Sequence, residues 1–308
     1  MRAVWSFWSK PFFAGKGNLW GEPLHHWLAW GLSLRQARKH HAETVLVTDL
    51  AGRELLVDCL GLQFTQVSTE LESIRKADAE WWALGKLVAY SIQEHPFVHL
   101  DTDVFLWKPL PSGAANAPVF GQYLENYHSI DQWWGPRTVE QTFDRHNLVL
   151  PAEWHAGRSA SGDRFSEINC GILGGNDTSF LRYFSELAID LILNPINAPV
   201  WAELHDLNWF NHINEQFFLA ACIDYHRSNP ASPYRGVHCG YLFQTIEEAF
   251  DSAHAARVGF THLLGDAKRN RSMLDRLQQR VQAEDLSFYR NCLQLTRSLE
   301  RDFATAAP

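Results

Sequence analysis

Apolar positions in the first hundred residues alternate between two periods. Residues 3–7 form a short apolar run of strand length. Pro23 then opens a stretch in which Leu24, Trp27, Leu28, Gly31 and Leu34 recur at helical spacing to about position 40. Thr44–Thr48 (TVLVT) is β-branched and strand-length, and Asp49 ends it. Residues 54–60 read as a short helix with Gly61 as its left-handed stop, and 64–67 as a third strand. Trp81, Leu84, Leu87, Val88, Ser91 and Ile92 make a helical stripe that must end before Pro96. Phe97–Leu100 (FVHL) is a fourth strand. This β-α-β-α-β-α-β order predicts an α/β fold with a mostly parallel sheet, helices on both faces, and ligands at the carboxyl ends of the strands.

The second half is less periodic. Residues 119–123 and 168–173 read as strands, and 215–225 as a buried helix. Residues 179–193 read as a helix with Phe180, Tyr183, Phe184, Leu187 and Leu191 on one face, stopped by Pro195. Residues 125–165 hold Trp133, Trp134 and Trp154 and show no clear period. They are expected as loops and short helices over the sheet edge, with the tryptophans covering core or walling an acceptor site. From 273 to 303 an amphipathic tail carries Phe288, Cys292, Leu295, Leu299 and Phe303 on one stripe. With no repeat and no Gly/Ser linker, the expected organisation is one continuous domain, over 1–270, with a helical C-terminal appendage over 271–308. That appendage either packs on the domain or offers a route to an oligomer.

Composition narrows the partners. Of 308 residues, 46% are apolar and 20% charged, which excludes a disordered chain. A formal charge of -8 argues against nucleic-acid binding driven by phosphate neutralisation. No uncharged apolar run approaches the roughly 18 residues of a membrane helix, so no transmembrane segment is expected. The apolar stretch at 3–8 is too short for a signal-peptide core. The 5 cysteines form no CxxC pair, which argues against a disulfide framework or zinc ribbon and leads to a cytoplasmic expectation.

Four constellations can carry chemistry. At the end of the fourth strand stands Asp101-Thr102-Asp103, followed by an apolar run with proline (VFLWKPL). Two carboxylates there can hold Mg²⁺ or Mn²⁺ against a diphosphate; the plainer alternative is a strand-end cap and a solvated turn residue. An aspartyl phosphatase is set aside, because its DxD belongs on the first strand with Thr or Val two residues beyond the second Asp, where Phe105 stands here. In the run 167–175, Asn169-Cys170-Gly171 suits close approach of backbone to a ligand, or equally a bulged core strand. Asn214-Glu215-Gln216 reads as an N-capped helix start or, in a cleft, as groups facing a reacting carbon. His262, Gly265 and Lys268 offer an imidazole for a metal and a compact charge for a phosphate. His25-His26 and His40-His41 read as helix-surface residues.

Taken in order, these pieces resemble the GT-A nucleotide-sugar glycosyltransferases, most nearly the glycogenin-like and capsular-polysaccharide-type families. The resemblance implies a GT-A (Rossmann-like) mixed sheet over residues 1–270 and transfer of a sugar, with retention, from a UDP-linked or other nucleotide-sugar donor to a glycan or small hydroxyl acceptor. Carried over, it makes Asp101, Asp103 and His262 the ligands of Mn²⁺ or Mg²⁺. Trp5 and Ser6 would border the nucleotide, Asp101, Asn169, Gly171 and Gly265 would line the donor site, and Lys268 would contact the diphosphate. Glu215 and Gln216 would be catalytic, near the anomeric carbon. The chain departs from the family in continuing Lys268-Arg269-Asn270 instead of Lys-Pro-Trp, and in lacking the usual small residues in its first strand. Two other readings are a sugar-phosphate nucleotidyltransferase, whose Gly-rich loop has only Gly15-Lys16-Gly17 as a counterpart, and a non-catalytic carbohydrate-binding protein on a transferase scaffold.

Overall fold

A computed structural model describes residues 1–17, 20–129, 132–157 and 163–306, except the side chains of 302–306. Positions 130–131 and 158–162 of the Trp-rich segment, and the Phe303 side chain, lie outside the described residues. The four predicted N-terminal strands are β1 (Arg2–Phe7), β2 (Thr44–Thr48), β3 (Gln66–Ser68) and β4 (Phe97–Leu100). They lie side by side and parallel in the order β4-β1-β2-β3. Beyond them come β5 (Val104–Leu106), β6 (Val119–Gly121), β7 (Leu124–Tyr127), β8 (Phe165–Ile168), β9 (Ile172–Gly175), β10 (Cys239–Tyr241) and β11 (Phe260–His262). The main sheet has 7 strands in the order β10-β6-β9-β4-β1-β2-β3. β9 runs antiparallel to both its neighbours, so it is the one reversed strand of that sheet. Two ribbons, β5–β11 and β7–β8, stand apart from it.

Period-two alternation divides the core. Along β1 and β2, Val4, Val45 and Val47 face the helices Leu84–Ser91 and Thr178–Leu193, while Ala3, Trp5 and Leu46 face the helix Pro23–Ala37. Each strand is thus buried on both sides, as a parallel sheet between two helical layers requires. The predicted strand over 168–173 is instead two strands in different sheets, β8 and β9. The reason is local: the Asn169 Oδ1 accepts the Gly171 N–H at 3.1 Å and breaks the extended backbone between them.

The C-terminal helices Arg271–Glu284 and Leu286–Ala306 fold back on Pro23–Ala37. Phe288, Cys292 and Leu295 of the predicted stripe are buried there. The contact needs a glycine: a Cβ on Gly31 would come within 2.1 Å of the Phe288 ring. Gly31→Val is therefore expected to destabilise the protein by about 1–3 kcal/mol through overpacking. In a double-mutant cycle with Phe288→Ala, read by chemical denaturation, the two losses should be less than additive; strict additivity would contradict the contact.

Candidate active site

The two aspartates turn toward one point because backbone hydrogen bonds strap the chain between them. The Asp101 N–H donates to the Gly171 carbonyl at 2.9 Å, and the Val104 N–H returns to the Asp101 carbonyl at 3.0 Å. The β5–β11 ribbon then places His262 opposite Val104, and the Leu263 N–H bonds the Asp103 carbonyl at 3.1 Å. One ligand atom each from Asp101, Asp103 and His262 lies within 4.8 Å of the others.

The imidazole is oriented. Its Nδ1 lies 2.7 Å from Gln122 Oε1 and its Nε2 faces Asp103, 3.5 Å from Oδ2, so with the proton on Nδ1 it is Nε2 that is open to a cation. Its ring packs directly on the backbone of Gly171, where a Cβ would come within 2.1 Å of His262 Cε1. Two carboxylates and one imidazole with a free nitrogen are a donor set that fits a hard divalent cation such as Mg²⁺ or Mn²⁺.

Two lysines, Lys86 buried and Lys268 half-buried, neutralise the cluster. Burial alone would raise the Asp103 carboxyl, but the Lys268 ammonium, 2.6 Å away, and His262 hold it well below the usual carboxylate range. Asp101 is raised by burial, which the Lys86 ammonium at 3.1 Å offsets only in part. Burial acts to deprotonate Lys86, yet Asp101 and Glu215 outweigh it and hold the ammonium above its ordinary value. Lys86 Nζ is 2.9 Å from Glu215 Oε1 and donates to the Cys170 carbonyl at 3.0 Å; the Tyr90 hydroxyl donates to the same Glu215 oxygen at 2.7 Å.

Two cavities open at this end of the sheet and share Lys16, Trp82, Lys86, Asp101 and Lys268 as walls. The smaller, about 160 Å³, reaches Ser6, His26, His99 and Asp103. The larger, about 710 Å³, is lined by His262, Gly265, Gly171, Asn169 and Gln216 among others. Ser6 is there because β1 and β4 run parallel, and its hydroxyl is 3.0 Å from His99 Nε2. Gly265 takes a left-handed φ of 48° at the cavity wall.

Several expectations are corrected by these positions. Trp5 does not border the cavity: it is wholly buried on the other face of β1, and its indole N–H donates to Ser33 Oγ at 3.0 Å. Glu215 does not line either cavity; it is wholly buried behind Lys86, and only Gln216 of that pair reaches the wall. Asn214 caps no helix. The segment Ile213–Phe217 is a π-helical insert running straight into Phe218–Ser228, because nothing before it breaks the helix, and its wider turn sets Glu215 and Gln216 on different sides. His25 and His26 are buried, not on the surface. Burial, reinforced by the Lys268 charge, lowers His26 to about 3, and it stacks on Phe12. Trp154 is core, with its indole N–H on Glu140.

Lys86, Gln122, Glu125 and Trp209 were not singled out from sequence. Lys86 had a signal, as the one charge in the otherwise uncharged helix LGKLVAYS. Gln122, Glu125 and Trp209 had none, since each depends on what faces it across a gap in the chain.

The topology and the acidic cluster define an α/β protein with a mostly parallel sheet and a candidate divalent-cation site at the carboxyl end of its central strand. The chain belongs to a family of unknown function (DUF6734), whose model matches residues 1–295. No curated protein matches it. Among solved structures it is similar to mouse xyloside xylosyltransferase 1 in its apo form, with a TM-score of 0.36 and 13% identity, covering 85% of this chain and 96% of that one.

Removing Lys86 would leave Glu215 as an uncompensated buried charge. Lys86→Met is expected to cost about 3–5 kcal/mol in chemical denaturation, and adding Glu215→Gln should restore part of it. No recovery would mean the ion pair is not the source of the loss. A second expectation concerns Glu167, which burial and the neighbouring Glu125 raise to about 8. The folded state then keeps a proton that the unfolded chain has lost, so this group makes stability fall as pH rises from 4.5 to about 8. Melting curves of Glu167→Gln across that window should fall less steeply than those of the native chain.

Proposed function

We propose that this protein is a metal-dependent glycosyltransferase that moves a sugar from a nucleoside-diphosphate donor, UDP-linked in the first instance, to a glycan or other hydroxyl acceptor. The observation that carries this reading is the convergence of Asp101, Asp103 and an oriented His262 with Lys268 beside them. Asp101, Asp103 and His262 would hold Mn²⁺ or Mg²⁺. When bound, the cation supplies Lewis-acid stabilisation of the departing diphosphate. Lys268 would contact the diphosphate from its place against Asp103. Lys86 would hold Asp101 oriented and keep the ionised pair compatible with burial. Gln216, on the wall of the larger cavity, would meet the sugar, while Glu215 would act behind it through Lys86. Ser6 would border the nucleotide in the smaller recess. Retention of configuration, residues 1–270 as the catalytic unit with 271–308 as its packed appendage, and a cytoplasmic setting complete the proposal.

The nucleotidyltransferase reading has less support, because Lys16 of the Gly15-Lys16-Gly17 turn is already paired with Glu80 at 2.7 Å. The carbohydrate-binding alternative draws on Trp134 and Trp209, which line the larger cavity.

The test is titration of UDP with and without Mn²⁺, followed by nucleotide release from a panel of UDP- and GDP-sugars. Mn²⁺ is expected to strengthen UDP binding, and Asp103→Asn to abolish that gain and cut turnover by roughly a thousandfold, which corresponds to several kcal/mol. UDP affinity indifferent to both Mn²⁺ and the substitution would refute the proposal. Metal-independent glycan binding without turnover would favour the non-catalytic alternative.

A further inference from the structure

The larger cavity continues past the cation cluster to an end that the chemistry above does not use. There the register of the β7–β8 ribbon sets Glu125 directly opposite Glu167. Like charges so placed repel unless donors face them. Glu125 has such donors: Asn169 Nδ2 at 2.9 Å and the Tyr127 hydroxyl at 2.8 Å. Glu167 is 1% exposed and lines the cavity; its carboxyl also hydrogen-bonds Tyr127, but among the described residues its Oε1 has no hydrogen-bond partner. A buried acceptor left so is destabilising, and a donor on a ligand would relieve it. Among the described residues no arginine lines this cavity, and the three lysines that do are committed to Glu80, to Asp101 with Glu215, and to Asp103.

Aromatic rings line the same cavity. Trp134 and Trp209 stack at 6.3 Å with an interplanar angle of 26°, and Trp209 remains 43% exposed. Flat apolar surface joined to a few fixed acceptors suits a molecule with an apolar ring face and an edge of hydroxyl donors. Burial beside Glu125 keeps Glu167 protonated at neutral pH, so it can donate as well as accept. Glu125 keeps a negative field that disfavours anionic ligands.

We propose that this end of the cavity is the acceptor subsite and takes a neutral pyranoside, its ring on Trp209 and Trp134 and its hydroxyls on Glu125 and Glu167. Calling the sugar an acceptor rests on the transferase reading; the binding itself does not.

The experiment uses the full chain without metal or nucleotide. Methyl pyranosides of glucose, galactose, mannose and xylose, and methyl glucuronide, are titrated by tryptophan fluorescence and saturation-transfer NMR. At least one neutral glycoside is expected to bind saturably in the millimolar range, about 4 kcal/mol of binding free energy, and the glucuronide more weakly. Glu167→Met, which removes both the donor and the acceptor, and, on an exposed position that spares the core, Trp209→Ala should each weaken binding roughly tenfold, or about 1.4 kcal/mol. No binding of any neutral pyranoside, a preference for the glucuronide, or affinity unchanged in both variants would overturn the subsite. Glycoside binding that persists in Asp103→Asn, in a chain with no Mn²⁺-dependent UDP affinity, would uphold the subsite and remove the transferase. The reverse pattern would do the opposite.

Discussion

Two carboxylates held near one point in a largely buried setting repel each other and resist ionisation, and the surrounding structure is organised around that constraint. Lys86 approaches Asp101 from one side and Lys268 approaches Asp103 from the other. Neither lysine is close to the aspartates in sequence. Lys86 comes from the helix under the sheet and Lys268 from the turn after β11. Glu215 balances Lys86 in turn and accepts the Tyr90 hydroxyl on the same oxygen, so a chain of alternating charge runs from the core to the cavity. Burying this chain costs desolvation, which good geometry offsets only when every member is present. The arrangement suits an anionic ligand with its own cation: Asp103 stays ionised, while two ammonium groups lie within reach.

The reversed strand β9 is the second organising element. Running antiparallel between β4 and β6, it brings the Asn169–Gly171 break to the carboxyl end of β4. The Gly171 carbonyl receives Asp101, the Gly171 backbone makes room for His262, and Asn169 holds Glu125. Asn169 was expected to line the donor site. In the fold its amide is engaged by protein partners, and its effect on a ligand passes through Glu125 and through the shape of the break.

Much of the first half was legible because parallel strands buried on both faces are continuous apolar runs, and the helices between them carry one apolar stripe each. Thr44–Thr48 and Phe97–Leu100 were read with the bounds they have. The strand over 168–173 was misread because one side-chain hydrogen bond, invisible to periodicity, divides it. Trp5 and His26 were misplaced, and Trp154 was left open between core and cavity wall, for a shared reason: residue type says that a ring can stack or ligate, but not which side of a strand or helix it occupies. Trp209 was passed over for the converse reason, since a helix residue earns a role only from the cavity opposite it.

By itself, the sequence determined the alternation of strands and helices, the acidic pair at the end of the fourth strand, and the candidacy of His262 and Lys268 as later partners. These are local facts, set by period, residue type and spacing. Only the tertiary structure decided that β5 pairs with β11 and so carries the imidazole to the aspartates, that Lys86 neutralises the cluster from beneath, and that Glu125 and Glu167 face each other across a ribbon in an aromatic-walled cavity. Those are contacts between residues distant along the chain, and their register is set by hydrogen bonding between strands and by the packing of whole layers.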